Sequence, residues 1–189
     1  MAGITCSDGL HLSVEDIIRR DAVINDDGTI TIVSAARTIK IHRTTADTTP
    51  TASAWTDCST FTEIATETQG AIAELNADNK TIDILQSGFY SFGGCIHYQN
   101  NSGGDRHALV ASRLYANGTT EVRCSQRAQQ MTVKAGGESV LSYNGTVYLS
   151  AGDSITLQYY LSDNTIDFTS NAVFTNPIAY TLWLTNIGN

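Results

Sequence analysis

Along most of this chain apolar residues recur at every second position. KTIDILQ (80–86) sets Ile82 and Ile84 against polar neighbours, and SITLQYYLS (154–162) puts Ile155, Leu157, Tyr159 and Leu161 on one face. RTIKIH (37–42) does the same with Ile39 and Ile41, and TITIV (29–33) also alternates. A period of two is the repeat of a half-buried β-strand, because successive side chains point to opposite faces of a sheet. HALVASRLY (107–115), EVRCSQRA (121–128), ESVLSYNGTVYLS (138–150) and IAYTLWLTNI (178–187) read as further strands. Asn117-Gly118, a second Asn-Gly at 144–145, and the corner Ala151-Gly152-Asp153 supply turn chemistry, and NNSGGD (100–105) reads as a loop. About eight short strands in the last 110 residues or so, separated by Gly and Asn, predict an all-β jelly-roll sandwich.

The first 54 residues read differently. Ser13-Val14-Glu15-Asp16 is a capping sequence for a short helix, SVEDIIRRDA, with acids at its start and Arg19 and Arg20 toward its end. Asn25-Asp26-Asp27-Gly28 is a turn, and TTADTTPTAS (44–53) has no periodicity and reads as a linker or extended arm. AIAELNADN (71–79) hints at a second short helix. Two parts are therefore expected: an N-terminal segment, 1–54, of helix, hairpin and Thr-rich arm, and a jelly-roll domain, 55–189. Ile17, Ile18, Ile30, Ile32, Ile39 and Ile41 are too few for an independent core. They need another surface to bury against, and Arg19 and Arg20 are placed to pair with that surface.

Composition narrows the function. The formal charge is −8 and the sequence pI about 4.7, so the basic footprint of a nucleic-acid binder is missing. Charged residues make up 16%, below the usual quarter, with Thr, Ser, Asn, Gly and Ala in their place. No apolar run is long enough for a membrane helix, and the N-terminus lacks the pattern of a signal peptide. Four N-x-S/T sequons, at Asn79, Asn100, Asn117 and Asn144, are then expected by chance in so Thr- and Asn-rich a chain. The four cysteines, Cys6, Cys58, Cys95 and Cys124, stand far apart with no C-x-x-C, and read as free buried thiols, with one disulfide still open.

The candidate chemistry centres on SGFYSFGGCIHYQ (87–99). Alternation puts Tyr90, Phe92, Gly94, Ile96 and Tyr98 on one face, and Phe89, Ser91, Gly93, Cys95 and His97 on the other. Cys95 and His97 can therefore approach each other. A nucleophile needs an orienting third group and an oxyanion site, and a metal needs three or four ligands. The sequence suggests neither, so the pair reads as a core or interface feature. No nucleophile elbow, phosphate loop or metal motif occurs, and neither an enzymatic activity nor a cofactor is expected.

Three motifs in order resemble the jelly roll of the tumour necrosis factor superfamily and the complement globular heads. They are Gly88-x-Tyr90-x-Phe92 after a Ser87-Gly88 corner, the run from Thr146 through the Gly152-Asp153 corner to Leu157, and the final strand from Ala179 to Leu184. The resemblance covers residues 80–187 and implies a compact homotrimer packed around aromatic residues. It places Tyr90, Phe92, Tyr159, Tyr180 and Trp183 at the trimer interface. With no signal peptide, collagen-like stalk or membrane stem, the chain resembles virion-surface proteins of tailed phages, assembled in the host cytoplasm. The implied function is structural: a trimeric capsid decoration (cement) or short head-fibre protein. Its partners would be its own copies and the major capsid protein, with Ile17, Ile18, Arg19, Arg20, Ile39 and Ile41 as attachment contacts. The alternative is the receptor-binding tip of a tail fibre or spike, touching host surface glycan through loops that expose Asn100, Asn101, Asp105, Asp163 and Asn164.

Overall fold

The computed structural model describes residues 3–5, 11–13, 22–24, 30–32, 37–47, 50–65, 72–122, 125–169 and 178–188. Among the described residues every regular element is a strand. The chain divides into two units, Met1–Ala36 and Arg37–Asn189. In the first, β1 (Gly3–Thr5) pairs with β2 (His11–Ser13), and β3 (Ala22–Ile24) pairs with β4 (Ile30–Ile32). Of the helix expected over 13–22, the end residues Ser13 and Ala22 belong to β2 and β3, and the rest, with Ile17, Ile18, Arg19 and Arg20, lies outside the described residues.

The second unit is the jelly roll. Its strands are β5 (Arg37–Arg43), β6 (Trp55–Asp57), β7 (Thr62–Glu63), β8 (Ala73–Leu75), β9 (Thr81–Ile84), β10 (Gly88–Asn100) and β11 (Arg106–Ala116). β12 (Thr120–Glu121), β13 (Arg127–Val133), β14 (Glu138–Leu149), β15 (Ser154–Leu161), β16 (Ile166–Asp167) and β17 (Tyr180–Gly188) complete it. One antiparallel sheet runs β14-β10-β17-β5-β7, with β16 beside β10. The other runs β12-β11-β15-β9-β8, with β13 also on β11 and β6 also on β15. The core lies between them. Ile39, Ile41, Tyr90, Phe92, Ile96, Tyr180, Leu182 and Leu184 of the first sheet face Ile82, Val110, Leu114, Ile155, Leu157 and Leu161 of the second. The alternation read from the sequence is thus the alternation of the sandwich.

Three expectations change. The boundary falls at Arg37, not at residue 55, because β5 is hydrogen-bonded to β17 along its whole length, from Tyr180↔Arg43 to Asn186↔Arg37. Ile39 and Ile41 are fully buried in the sandwich and cannot be attachment contacts. The Thr-rich arm is no free linker either. Asp47 bridges to Phe168, Thr51 N donates to the Tyr159 hydroxyl (3.1 Å), and Ser53 N donates to the Leu161 carbonyl (2.6 Å).

The helical hint at 71–79 is also wrong. Ala73–Leu75 is β8, paired to β9, and a turn follows. The Asp78 carboxylate accepts from the backbone N–H of Lys80 and Thr81, both at 2.9 Å, and Asn79 takes a left-handed φ of 54°. Asp and Asn favour such turns over helix interiors for that reason. The two Asn-Gly pairs diverge. Asn117 and Gly118 take φ of 53° and 63° and turn the chain between β11 and β12. The Asn117 side chain donates to Asp153 Oδ1 and accepts from Ser154 N, tying this turn to the Gly152-Asp153 corner. Asn144-Gly145 sits inside β14, and Gly145 is there for space: a Cβ on it would stand 2.6 Å from the Phe92 ring.

Gly94 is the tightest such position. A Cβ there would overlap the Thr181 carbonyl oxygen and lie 2.5 Å from the Tyr143 hydroxyl, which donates to that same carbonyl. Overpacking of this kind costs about 1–3 kcal/mol, and more where backbone must move. Gly94→Ala should therefore lower the melting temperature by many degrees. Gly104→Ala, which has nothing within 4 Å, should leave it within about 0.5 kcal/mol of wild type. Equal melting temperatures by calorimetry would contradict this packing.

Candidate interaction surfaces

The residues expected at a trimer interface separate by parity. Tyr90, Phe92, Tyr159 and Tyr180 point inward and are 0–3% exposed, filling this chain's own core. They leave no surface for a neighbour, so that placement is corrected. Trp183 alone of the five is on the outer face, packed flat over Gly93 of the adjacent strand. The loop residues also separate. Asn101, Asp105 and Asn164 are exposed and Asp163 is half-buried, but Asn100 is fully buried. Its amide donates to the Gly104 and Val133 carbonyls, and its oxygen accepts from Ser102 N, so it holds the 100–105 loop closed from beneath.

The outer face of the first sheet is broad and weakly charged. Across β5, β17, β10 and β14 it presents Thr38, Lys40 and His42; Thr181, Trp183 and Thr185; Phe89, Ser91, Cys95 and His97; and Glu138, Val140, Ser142 and Tyr148. Lys40 and Glu138 are its charged side chains on these strands. Large apolar side chains that stay exposed concentrate here: Phe89 (48%), Val140 (42%), Tyr148 (54%) and Ile187 (58%). Phe89 and Tyr148 are register partners and meet edge to face at 5.3 Å.

Cys95 and His97 do come together on this face. Cys95 Sγ is 3.3 Å from His97 Nε2 and 3.4 Å from Thr181 Oγ1, and Cys95 N donates to that hydroxyl at 3.1 Å. Burial lowers the His97 pKa, and Glu138 opposes that shift only in part, so the imidazole is neutral at pH 7 and can accept from the thiol. The backbone N–H groups of the pair are already taken, that of Cys95 by the Thr181 hydroxyl and that of His97 by the Ala179 carbonyl. Among the described residues no group of three or more His, Cys, Asp or Glu is placed to hold a metal ion.

At one end of the sandwich lies a partly buried polar cluster. Arg43 Nη1 donates to the Tyr180 hydroxyl (2.6 Å) and pairs with Asp47 Oδ2 (3.2 Å). Cys58 is fully buried beside them, and burial, aided by Asp47 and Asp57, pushes its thiol well above the usual range. Phe61, Tyr180, Phe168 and Tyr159 stack edge to face in series, with centroids 5.4, 6.2 and 4.6 Å apart. The arm carrying residues 43–47 is therefore part of the core's polar wiring.

The outer face of the second sheet carries a constellation that no motif announced. Arg113 of β11 lies between the rings of Trp55 (4.2 Å to centroid) and Tyr115 (4.8 Å). Its Nε donates to Gln158 Oε1 (2.8 Å), and its Nη1 pairs with Glu121 Oε2 (3.1 Å). Gln158 Nε2 donates onward to Asp57 Oδ1 (2.8 Å), and Asp57 pairs with Lys80 (3.6 Å). Tyr160 tilts against Trp55 at 5.8 Å. These residues come from β6, β11, β12, β15 and the turn before β9, and the only sequence signal was the outward parity of those on β11 and β15.

Burial, and then charge at Cys58, raise the Tyr180 hydroxyl well above the ordinary phenol range, while Arg43 offsets part of the shift. Unfolded, the group titrates near pH 10; folded, it titrates higher. Its contribution is thus complete below about pH 10 and is lost as pH rises from there toward the folded value. Tyr180→Phe should cost about 1 kcal/mol at pH 8 through lost hydrogen bonds. It should then lose less stability than wild type between about pH 10 and 11.5. Denaturant midpoints that fall in parallel for the two proteins would refute the assignment.

No protein-family model and no curated protein matches the chain. Among solved structures it is similar to Eiger TNF from S. frugiperda, with a TM-score of 0.52 and 11% identity over 82% of this chain and 94% of that one. At that identity the likeness speaks for the fold alone: residues 37–189 form a jelly roll of the tumour necrosis factor kind.

Proposed function

We propose that this protein is a non-enzymatic, homotrimeric surface protein of a tailed-phage particle, a capsid decoration or short head-fibre protein. The jelly roll is the projecting knob and the first 36 residues attach it to the major capsid protein. The observation that carries the self-association is the outer face of the first sheet. An exposed face with Phe89, Val140, Tyr148, Trp183 and Ile187 and few charges has the composition of an interface core, where charge is depleted and aromatics are enriched. Copies packed on this face would shield it and would bury the Cys95–His97 pair. The division into a small hairpin unit and a larger sandwich supports separate attachment and projection. A surface rich in Thr, Ser and Asn suits a particle exterior. The second reading, a receptor-binding tip, is favoured by the aromatic and polar row on the opposite sheet.

Sedimentation velocity of the full chain at micromolar concentration should give a species of three 20.3 kDa chains. Val140→Lys with Trp183→Glu should convert it to monomer while the circular dichroism is kept. A monomeric wild type would overturn the self-association. For attachment, full-length protein should co-pellet with particles lacking it, and a chain starting at Arg37 should stay in the supernatant. Equal pelleting would assign attachment to the jelly roll itself.

A further inference from the structure

The row on the outer face of the second sheet crosses β11, β15 and β6 nearly at right angles to the strands and ends at β12, two residues along. Glu121, Arg113, Gln158 and Asp57 stand one per strand, and Lys80 closes the row beside Asp57. Register aligns three of them, with Gln158 opposite both Arg113 and Asp57, while Glu121 stands level with Tyr115 and meets the Arg113 guanidinium from there. Strands lie about 4.8 Å apart, so a planar or forked hydrogen-bonding group recurs at that interval across the sheet. One pyranose unit of an extended polysaccharide has a similar length. Two acids and two bases leave the row electrically neutral, which suits an uncharged ligand.

Aromatic rings border the row. Trp55 and Tyr160 are register partners on one side, and Tyr115 stands on the other, across from Thr156. All three rings are half-buried on a solvent-facing sheet surface, and, unlike Phe89, Tyr148 and Trp183 on the other sheet, they flank a line of polar side chains bonded to one another. Half-covered rings offer an apolar edge together with a polar tip. Trp, Tyr and Arg are also the residues that most often dominate binding energy. The polar groups are fixed in advance by bonds to one another, so little side-chain freedom is lost on binding. The ends of the row remain open. The side chains of Glu121 (38% exposed), Asp57 (39%) and Lys80 (43%) reach solvent, and the second Nη of Arg113 has no partner among the described residues.

We infer that this face is a binding site for an extended chain of neutral pyranoses, laid along the Glu121–Arg113–Gln158–Asp57 row between Trp55/Tyr160 and Tyr115. The site belongs to one chain and one sheet, so it does not depend on the self-association proposed for the other sheet. It assigns glycan contact to a sheet face, not to the loops expected at 99–106 and 163–176.

The test is isothermal titration of the full-length protein with three neutral hexasaccharides: cellohexaose, chitohexaose and α-1,6-mannohexaose. At least one should bind with a millimolar or tighter Kd, and with little dependence on salt. Trp55→Ala and Asp57→Asn should each weaken it by about tenfold or more. Trp183→Phe, on the opposite sheet, should leave it unchanged. Because Trp55→Ala removes packing on Arg113, its fold is checked by circular dichroism, and Asp57→Asn gives the same answer with the stacking intact. Absence of heat with all three sugars overturns the inference, as does binding that survives Asp57→Asn undiminished. Neither outcome bears on the oligomeric state.

Discussion

Everything in the sandwich hangs on the registration of β10. This thirteen-residue strand is paired along nearly its whole length by β14 and, over its first two thirds, by β17. Being held on both edges, it cannot slide, and a slip of one residue would exchange its two faces. Its inward set, Tyr90, Phe92, Ile96 and Tyr98, would then meet water, and Cys95 and His97 would enter the core. The glycines enforce the same register. Gly93 admits the Trp183 ring above the sheet, Gly94 admits the Tyr143 hydroxyl below it, and Gly145 of β14 yields to Phe92. Each pairing needs the missing Cβ at one position, so the three together select a single alignment of three strands.

The buried tyrosines explain how polar atoms are tolerated in this core. The Tyr90 hydroxyl donates to the Gln86 carbonyl at 2.6 Å, the Tyr143 hydroxyl donates to the Thr181 carbonyl, and Tyr159 and Tyr180 take their partners from the arm at 43–51. A large ring can thus be buried at full hydrophobic gain while its hydroxyl stays satisfied. The arm is drawn into the fold by this need. It has no hydrophobic period of its own, and the aromatic stack beneath it supplies the contacts that hold it.

The sequence revealed most of the strands, because alternation is a local property, but the strand it put at 121–128 is displaced: the long partner of β11 after the Asn117-Gly118 turn is β13, Arg127–Val133, whose polar positions show no clear period. It revealed the jelly roll because the order of strands and corners is also read along the chain. Which face of a strand is buried is not local. Tyr90, Phe92, Tyr159 and Tyr180 lie on a recognisable stripe, but only the opposing sheet shows that the stripe closes on this chain's own core and not on a neighbour. The boundary erred for the same reason: RTIKIH was legible as a strand, and its partner β17 begins at Tyr180, far along the chain. Why a strand should carry Asn144-Gly145 in its middle is plain only once the Phe92 ring beside Gly145 is known. The Arg113 row was invisible, since positions 55, 57, 80, 113, 121 and 158 share no spacing and meet only across strands.

The Asn117-Gly118 turn bears on how such a protein ages. Asparagine followed by glycine is the dipeptide most prone to deamidation, since the small glycine lets the next backbone nitrogen attack the side-chain carbonyl. Here that carboxamide is held at both ends, its nitrogen by Asp153 and its oxygen by Ser154 N, at 2.9 and 2.8 Å. Cyclisation must first break both bonds and pull the turn from the Gly152-Asp153 corner. The fastening that shapes the hairpin therefore also slows its chemical clock.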